Sequence, residues 1–197
     1  MISIFQAGGP VMYLLLLCSV ITLAIIIDRI LFWLRLRNGR RLELIARLCR
    51  CHQQGCDPAD LIKIKQDVIG RILLLGIEND NSTAGWEMQL AAKLELDRMI
   101  QYQGTLKIMV SLTPLLGIFG TVLGIIESFS LLGDHSLVDP IAASGGLAEA
   151  LITTAFGLAI AMLSLVAFAI FQSLADKLHY EMEIRCTELE RTMKIGG

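Results

Sequence analysis

At 197 residues, 54% hydrophobic and with a formal net charge of −2, the chain is more apolar than a typical soluble domain, where about 45 to 50% of residues are apolar. Its 17 lysines and arginines fall in two blocks, Arg29 to Lys107 and Lys177 to Lys194; the positive-inside rule reads that segregation as an integral membrane protein, and the basic blocks call for no nucleic-acid partner. Cys18 lies in the first apolar run and Cys49, Cys51, Cys56 and Cys186 in the cationic, cytosolic segments, so no disulfide framework is expected.

The first predicted span covers about 11–33, apolar until the adjacent Asp28 and Arg29 near its inner end, with Trp33 as the interface marker. Roughly twenty apolar residues rising 1.5 Å each cross a hydrocarbon core of about 30 Å. Arg35, Arg37, Arg40 and Arg41 follow at once, which sets the N-terminus on the outer side and the C-terminus in the cytoplasm. No cation precedes the apolar run and no small-x-small cleavage site follows it, so this segment is expected to stay as a membrane helix.

Residues 34–107 are predicted to form cytosolic helices. Leu42, Ile45 and Leu48, then Ile62, Ile69 and Leu73 after Asp57-Pro58, carry helical apolar spacing, and Asn79 to Ser82 is a turn cluster. Trp86, Leu90, Leu94, Met99 and Leu106 extend the second span inward as one long helix. Cys49, His52 and Cys56 share a helical face, with Cys51 close by. That group reads either as a stripe of small hydrophobes or as part of a zinc site, and the paired short knuckles of structural zinc are missing.

The second span, about 108–132, carries Pro114 and then Gly117, Gly120 and Gly124, a spacing that lets helices approach closely in lipid. Thr113 and Thr121 can bond back to their own helix. Glu127, near its outer end, reads as a solvated terminus. An acidic loop with Asp134, His135, Asp139 and Pro140 leads to the third span, about 145–171, where Glu149, Thr153, Gly157 and Ala161 recur every four residues as one polar-to-small stripe flanked by Thr154. A carboxylate inside a spanning helix costs roughly 2.5 to 3.5 kcal/mol on insertion scales, so Glu149 is a candidate proton-carrying group; the alternative is that it faces interfacial water about 6 Å inside the helix start. Counted along antiparallel helices, the hydroxyls of Thr121 and Thr154 fall near one level of the membrane. Residues 172–194 form a cytosolic C-terminal helix with Leu174, Leu178, Met182, Cys186, Leu189 and Met193 at three- and four-residue steps.

The fold expected is therefore an all-α integral membrane protein of three transmembrane helices with long cytosolic helical extensions, the whole of 1–197 forming one module. No phosphate loop, zinc-protease motif, nucleophile elbow or dinucleotide fingerprint occurs, so neither an enzyme nor a cofactor or metal is expected.

Several motifs together resemble a known family. Gly8-Gly9-Pro10-Val11-Met12-Tyr13, the Asp28-Arg29 pair, Thr113-Pro114-Leu115-Leu116-Gly117, Gly120-Thr121-Val122-Leu123-Gly124, Ala148-Glu149-Ala150-Leu151 and Thr154-Ala155-Phe156-Gly157-Leu158 are similar, in order and spacing, to the MotA/TolQ/ExbB proton channel family. The resemblance implies a ring-forming homo-oligomer, pentameric, in the bacterial inner membrane, with spans two and three lining the pore. It also implies a single-span partner of the ExbD or TolR type, whose acidic residue exchanges protons near the pore threonines, and a TonB-like energy transducer. Carried over, Thr121 and Thr154 line the proton path, Glu149 lies at its outer part, and Gly117, Gly120, Gly124 and Gly157 pack helices. Three spans speak against a flagellar MotA stator, and the length favours an ExbB-like over a TolQ-like subunit. Leu14 and Leu163 stand where the family often has proline, which implies a straighter third span. The competing expectation is a non-conducting membrane scaffold whose small-residue stripes only pack helices.

Overall fold

The structure, a computed structural model, describes residues 9–39, 68–78, 84–133 and 140–195. Five helices occupy them: α1 (Gly9–Gly39), α2 (Val68–Glu78), α3 (Ala84–Met99), α4 (Gln103–Gly133) and α5 (Pro140–Ile195). Stretches long and apolar enough to cross a membrane lie within Pro10–Leu36, Gly85–Ser130 and Gly145–Glu188, matching the three spans read from the apolar runs. The Cys49, His52 and Cys56 group, like the acidic outer loop before Pro140, lies outside the described residues.

The chain divides into two compact units. The first holds the described residues up to Ile27 together with Tyr102–Ile170; the second holds the described parts of Asp28–Gln101 and Phe171–Gly197.

In the first unit, Val11, Leu15, Cys18, Thr22 and Ile25 of α1 are buried at steps of four and three residues, the spacing of a helix with one packed seam, and Met12 is buried beside Val11. Val11 and Leu15 meet Ile160 of α5, with Leu116 of α4 packed beside them. Farther along, Thr22 and Ser164 are 3.4 Å apart, a buried polar contact between α1 and α5. The remaining face of α1, including Tyr13, Leu17, Val20 and Ile27, is exposed and apolar, as a lipid-facing surface must be. Pro114 sits inside α4 without ending it, and Pro140 opens α5, where a missing N–H has no cost.

The second unit has its own core. Val68, Ile69, Ile72 and Leu73 of α2 pack with Met88 and Met99 of α3 and with Ala175, Leu178, Met182 and Cys186 of α5; Phe32, Trp33 and Leu36 of α1 close over them. Arg71 and Arg98 share the carboxylate of Glu95 at 2.9 and 3.3 Å. Trp33 is thus a core-packing residue set edge-on to Phe32, where a membrane-interface marker was expected.

Three expectations from the cytosolic pattern are corrected. The helix predicted to run unbroken into the second span is interrupted at residues 100–102, and Tyr102 takes φ 65°, a left-handed conformation that a bulky side chain rarely adopts. Of the stripe read from the sequence, Trp86, Leu90 and Leu94 face outward while Met99 and Leu106 are fully buried, and Met88, Ala91 and Ala92 turn toward the core. On α5 the seam passes through Ala175, which is fully buried, while Leu174 is exposed.

Candidate functional site at the seam of α4 and α5

The α4–α5 contact is an antiparallel seam of small residues. A Cβ placed on Gly157 would meet the Thr113 carbonyl oxygen at 2.5 Å and the Gly117 Cα at 3.1 Å. One placed on Gly117 would meet the Thr154 Cα at 3.0 Å, one on Gly124 the Ala150 Cβ at 2.7 Å, and one on Gly146 would run into the Ser128 hydroxyl. On Gly120 it would strike the Thr153 hydroxyl at 2.6 Å and Val11 of α1 at 3.3 Å. These glycines hold two backbones together where lipid supplies no hydrophobic drive for helices to associate. Gly117, Gly120, Gly124 and Gly157, the four glycines read as packing positions, all stand at these close approaches.

Hydroxyls line the same seam. Thr113, fully buried, donates to the Met109 carbonyl at 2.9 Å, and Ser128 donates to Gly124 at 2.8 Å. Thr153, 2% exposed, donates to Ala150 at 2.7 Å. Thr154 differs: its hydroxyl crosses to the Gly117 carbonyl of α4 at 2.9 Å and is only partly buried. Thr121 is also partly buried and donates to the Ile118 carbonyl at 2.6 Å. The two threonines thus bond to consecutive carbonyls of α4, which places both hydroxyls at one level of the seam although they are not bonded to each other. Both hydroxyl protons are spent on backbone oxygens. What they still offer is acceptor lone pairs, suited to a water, a hydronium or a protonated carboxyl.

Glu149 lies on α5 one turn before Thr153, and its side chain falls outside the described residues. Thr153, Gly157 and Ala161, the rest of its predicted stripe, are buried as the four-residue spacing requires. Among the described residues no three His, Cys, Asp or Glu side chains converge on a metal position.

Arg29 was legible only as half of an acid–base pair. Its guanidinium is 5% exposed and contacts Asp28 at 2.8 and 3.0 Å. It also donates to the Arg98 carbonyl at 3.0 Å and lies 4.9 Å from the Phe32 ring centroid. Arg98 is in the last turn of α3, where carbonyls lack a helical donor, so Arg29 caps α3 from α1. Backbone acceptors carry no residue signature, and no sequence pattern pointed to this contact. The Thr22–Ser164 pairing was missed too; the buried seam spacing of α1 was the available signal.

The sequence profile of the MotA/TolQ/ExbB proton channel family matches residues 64–184. The chain is 31% identical over 179 residues to the ExbB-like biopolymer transport protein 3 of Synechocystis sp., covering 86% of this chain and 83% of that one. It is 32% identical over 188 residues to the ExbB-like protein 1 of the same organism, covering 88% and 71%. An ExbB homologue of Methanothermobacter thermautotrophicus is 27% identical over 168 residues, covering 82% and 59%. With more than half of its length matched by the family profile and with its three membrane-crossing helices, this chain belongs to the MotA/TolQ/ExbB proton channel family.

Proposed function

We propose that the chain is the ExbB-like subunit of an inner-membrane proton motor. It works with an ExbD-like single-span partner and uses the proton motive force to energise, through a TonB-like transducer, a TonB-dependent outer-membrane transport system. Its work is ion transport, not a chemical conversion. Copies assemble into a pentameric ring in the bacterial inner membrane with the N-terminus periplasmic and the C-terminus cytoplasmic. The exposed stripe of Trp86, Leu90 and Leu94 outside the membrane spans supports an assembly of several copies.

The observation that carries the reading is the level shared by the Thr121 and Thr154 hydroxyls, both only partly buried where Thr113 and Thr153 on the same helices are closed off. With their protons committed to Ile118 and Gly117, they accept from the protonated acid of the partner or from water. Glu149 stands farther out on α5 and collects protons at the periplasmic side. One charge crossing 100 mV releases about 2.3 kcal/mol, so a few protons suffice for a conformational step.

Proton flux into proteoliposomes containing the chain with its co-purifying single-span partner tests this. Flux is expected to need the partner and to fall about tenfold or more in Thr154→Val, the equivalent of one lost hydrogen bond of roughly 1.4 kcal/mol, and to be lost in Glu149→Ala. Thr153→Val, with a buried hydroxyl, should conduct nearly as wild type. Undiminished flux in Thr154→Val and Glu149→Ala with intact complexes would favour the non-conducting scaffold instead.

A further inference from the structure

In the apolar part of α4, Thr113, Thr121, Ser128 and Ser130 each donate to a carbonyl of their own helix. Ser111 does not: among the described residues it is exposed and its hydroxyl has no partner. One turn before it, Lys107 is exposed and without an ion pair among the described residues, and it is the last cation before the long cation-free segment. One turn earlier still, Gly104 has nothing within 4 Å of where a Cβ would stand. With Ile108, Leu112 and Leu115 these residues line one open groove of roughly 390 Å³ along a single face of α4.

The groove has the polarity of one leaflet. From Gly104 to Leu115 it runs about 16 Å, close to half of the roughly 30 Å hydrocarbon core. Its inner end offers a cation, then a free hydroxyl, and beyond them only aliphatic surface. We propose that it holds an anionic phospholipid of the inner leaflet. Lys107 takes the phosphate across the space left by Gly104, and the Ser111 hydroxyl donates to a glycerol ester carbonyl. The acyl chain lies along Ile108, Leu112 and Leu115. The free Ser111 proton is what a lipid ester can use and what a plain hydrocarbon chain cannot. This inference rests on membrane insertion and on the proposed orientation, not on conduction or on the partner.

The test is native mass spectrometry of the purified complex, delipidated and then offered phosphatidylglycerol or phosphatidylcholine with identical acyl chains. Wild type should retain phosphatidylglycerol preferentially. Lys107→Gln should lower that retention about fivefold, the equivalent of roughly 1 kcal/mol for one cation near an anionic surface. Ser111→Ala should lower retention of both lipids, since both carry the ester, and Lys107→Arg should keep the preference. Lys177→Gln, which removes an exposed cation of α5 outside the groove, should change nothing. Equal losses in Lys107→Gln and Lys177→Gln would reduce the effect to diffuse surface charge and overturn the site. Near-complete cross-linking between copies through Ser111→Cys would also overturn it, by showing that a second copy covers the face. Because lipid retention and proton flux are separate readouts, either reading can fail while the other stands.

Discussion

Gly157→Ala puts a methyl group against backbone, where no rotamer change can relieve it. Its Cβ would stand 2.5 Å from the Thr113 carbonyl oxygen and 3.1 and 3.3 Å from Gly117 Cα and N. Ordinary contact begins near 3.5 Å, so α4 and α5 must separate by about 1 Å. Overpacking of this kind costs about 1 to 3 kcal/mol, and the upper part of that range applies because the obstacle is a main chain. Alanine returns about 1 kcal/mol of helix propensity, leaving a net loss of about 1 to 2 kcal/mol. Gly145→Ala has nothing within 4 Å and should keep the propensity gain intact. Gly120→Ala should fall between them, because its nearest obstacle is the Thr153 hydroxyl at 2.6 Å, a side chain that can turn at the expense of its bond to Ala150. Unfolding in mixed detergent followed by helicity would rank the three against wild type. Were Gly157→Ala as stable as Gly145→Ala, the close approach of α4 and α5 at this point would be wrong.

Two further predictions concern the polar contacts of α1. Arg29→Met strands the Arg98 carbonyl at a cost of about 1 to 3 kcal/mol; the contact with Asp28, itself half-exposed, adds less than about 1 kcal/mol. Limited proteolysis of α2 and α3 should accelerate accordingly, with Arg29→Lys recovering only part because one ammonium cannot serve both acceptors in the same geometry, and an unchanged digestion rate would argue against the cap. Thr22→Val and Ser164→Ala, combined in a double-mutant cycle of unfolding free energies, should couple by about 0.6 kcal/mol, the average for polar contacts between membrane helices. Additivity within error would mean that the 3.4 Å contact does not contribute.

The spans were legible because lipid imposes length and charge placement on the sequence itself. The α5 stripe was legible because Thr153, Gly157 and Ala161 recur every four residues and so share one face. Outside the membrane the same logic weakened. On α3, Trp86, Leu90 and Leu94 form as good a helical stripe as Met88, Ala91 and Ala92, and spacing alone does not decide which set packs inward. The break at Tyr102 carries neither glycine nor proline, the residues that usually announce one. The α3 cap uses a backbone carbonyl as acceptor, which leaves no trace in residue types.

The hydroxyl geometry constrains where a proton can be held. Between Ile108 and Ile126, and again between Ala150 and Ala175, the sequence has no aspartate, glutamate, histidine, lysine or arginine. The Thr121 and Thr154 hydroxyls donate hydrogen bonds to the Ile118 and Gly117 carbonyls, and for either to relay a proton it would first have to give up that bond. In the proposed motor they serve as acceptors that steady a protonated group and not as carriers. A carrier at that level has to be water or an acid supplied from outside the chain, because Glu149 lies more than a turn away along α5. The proposed motor therefore predicts flux that depends on a partner carboxylate, whereas flux from the chain alone would require a continuous water file past Thr121 and Thr154. Substituting the partner's membrane acid by its amide, with Thr121 and Thr154 intact, separates the two: loss of flux assigns the proton to the partner, and retained flux assigns it to water.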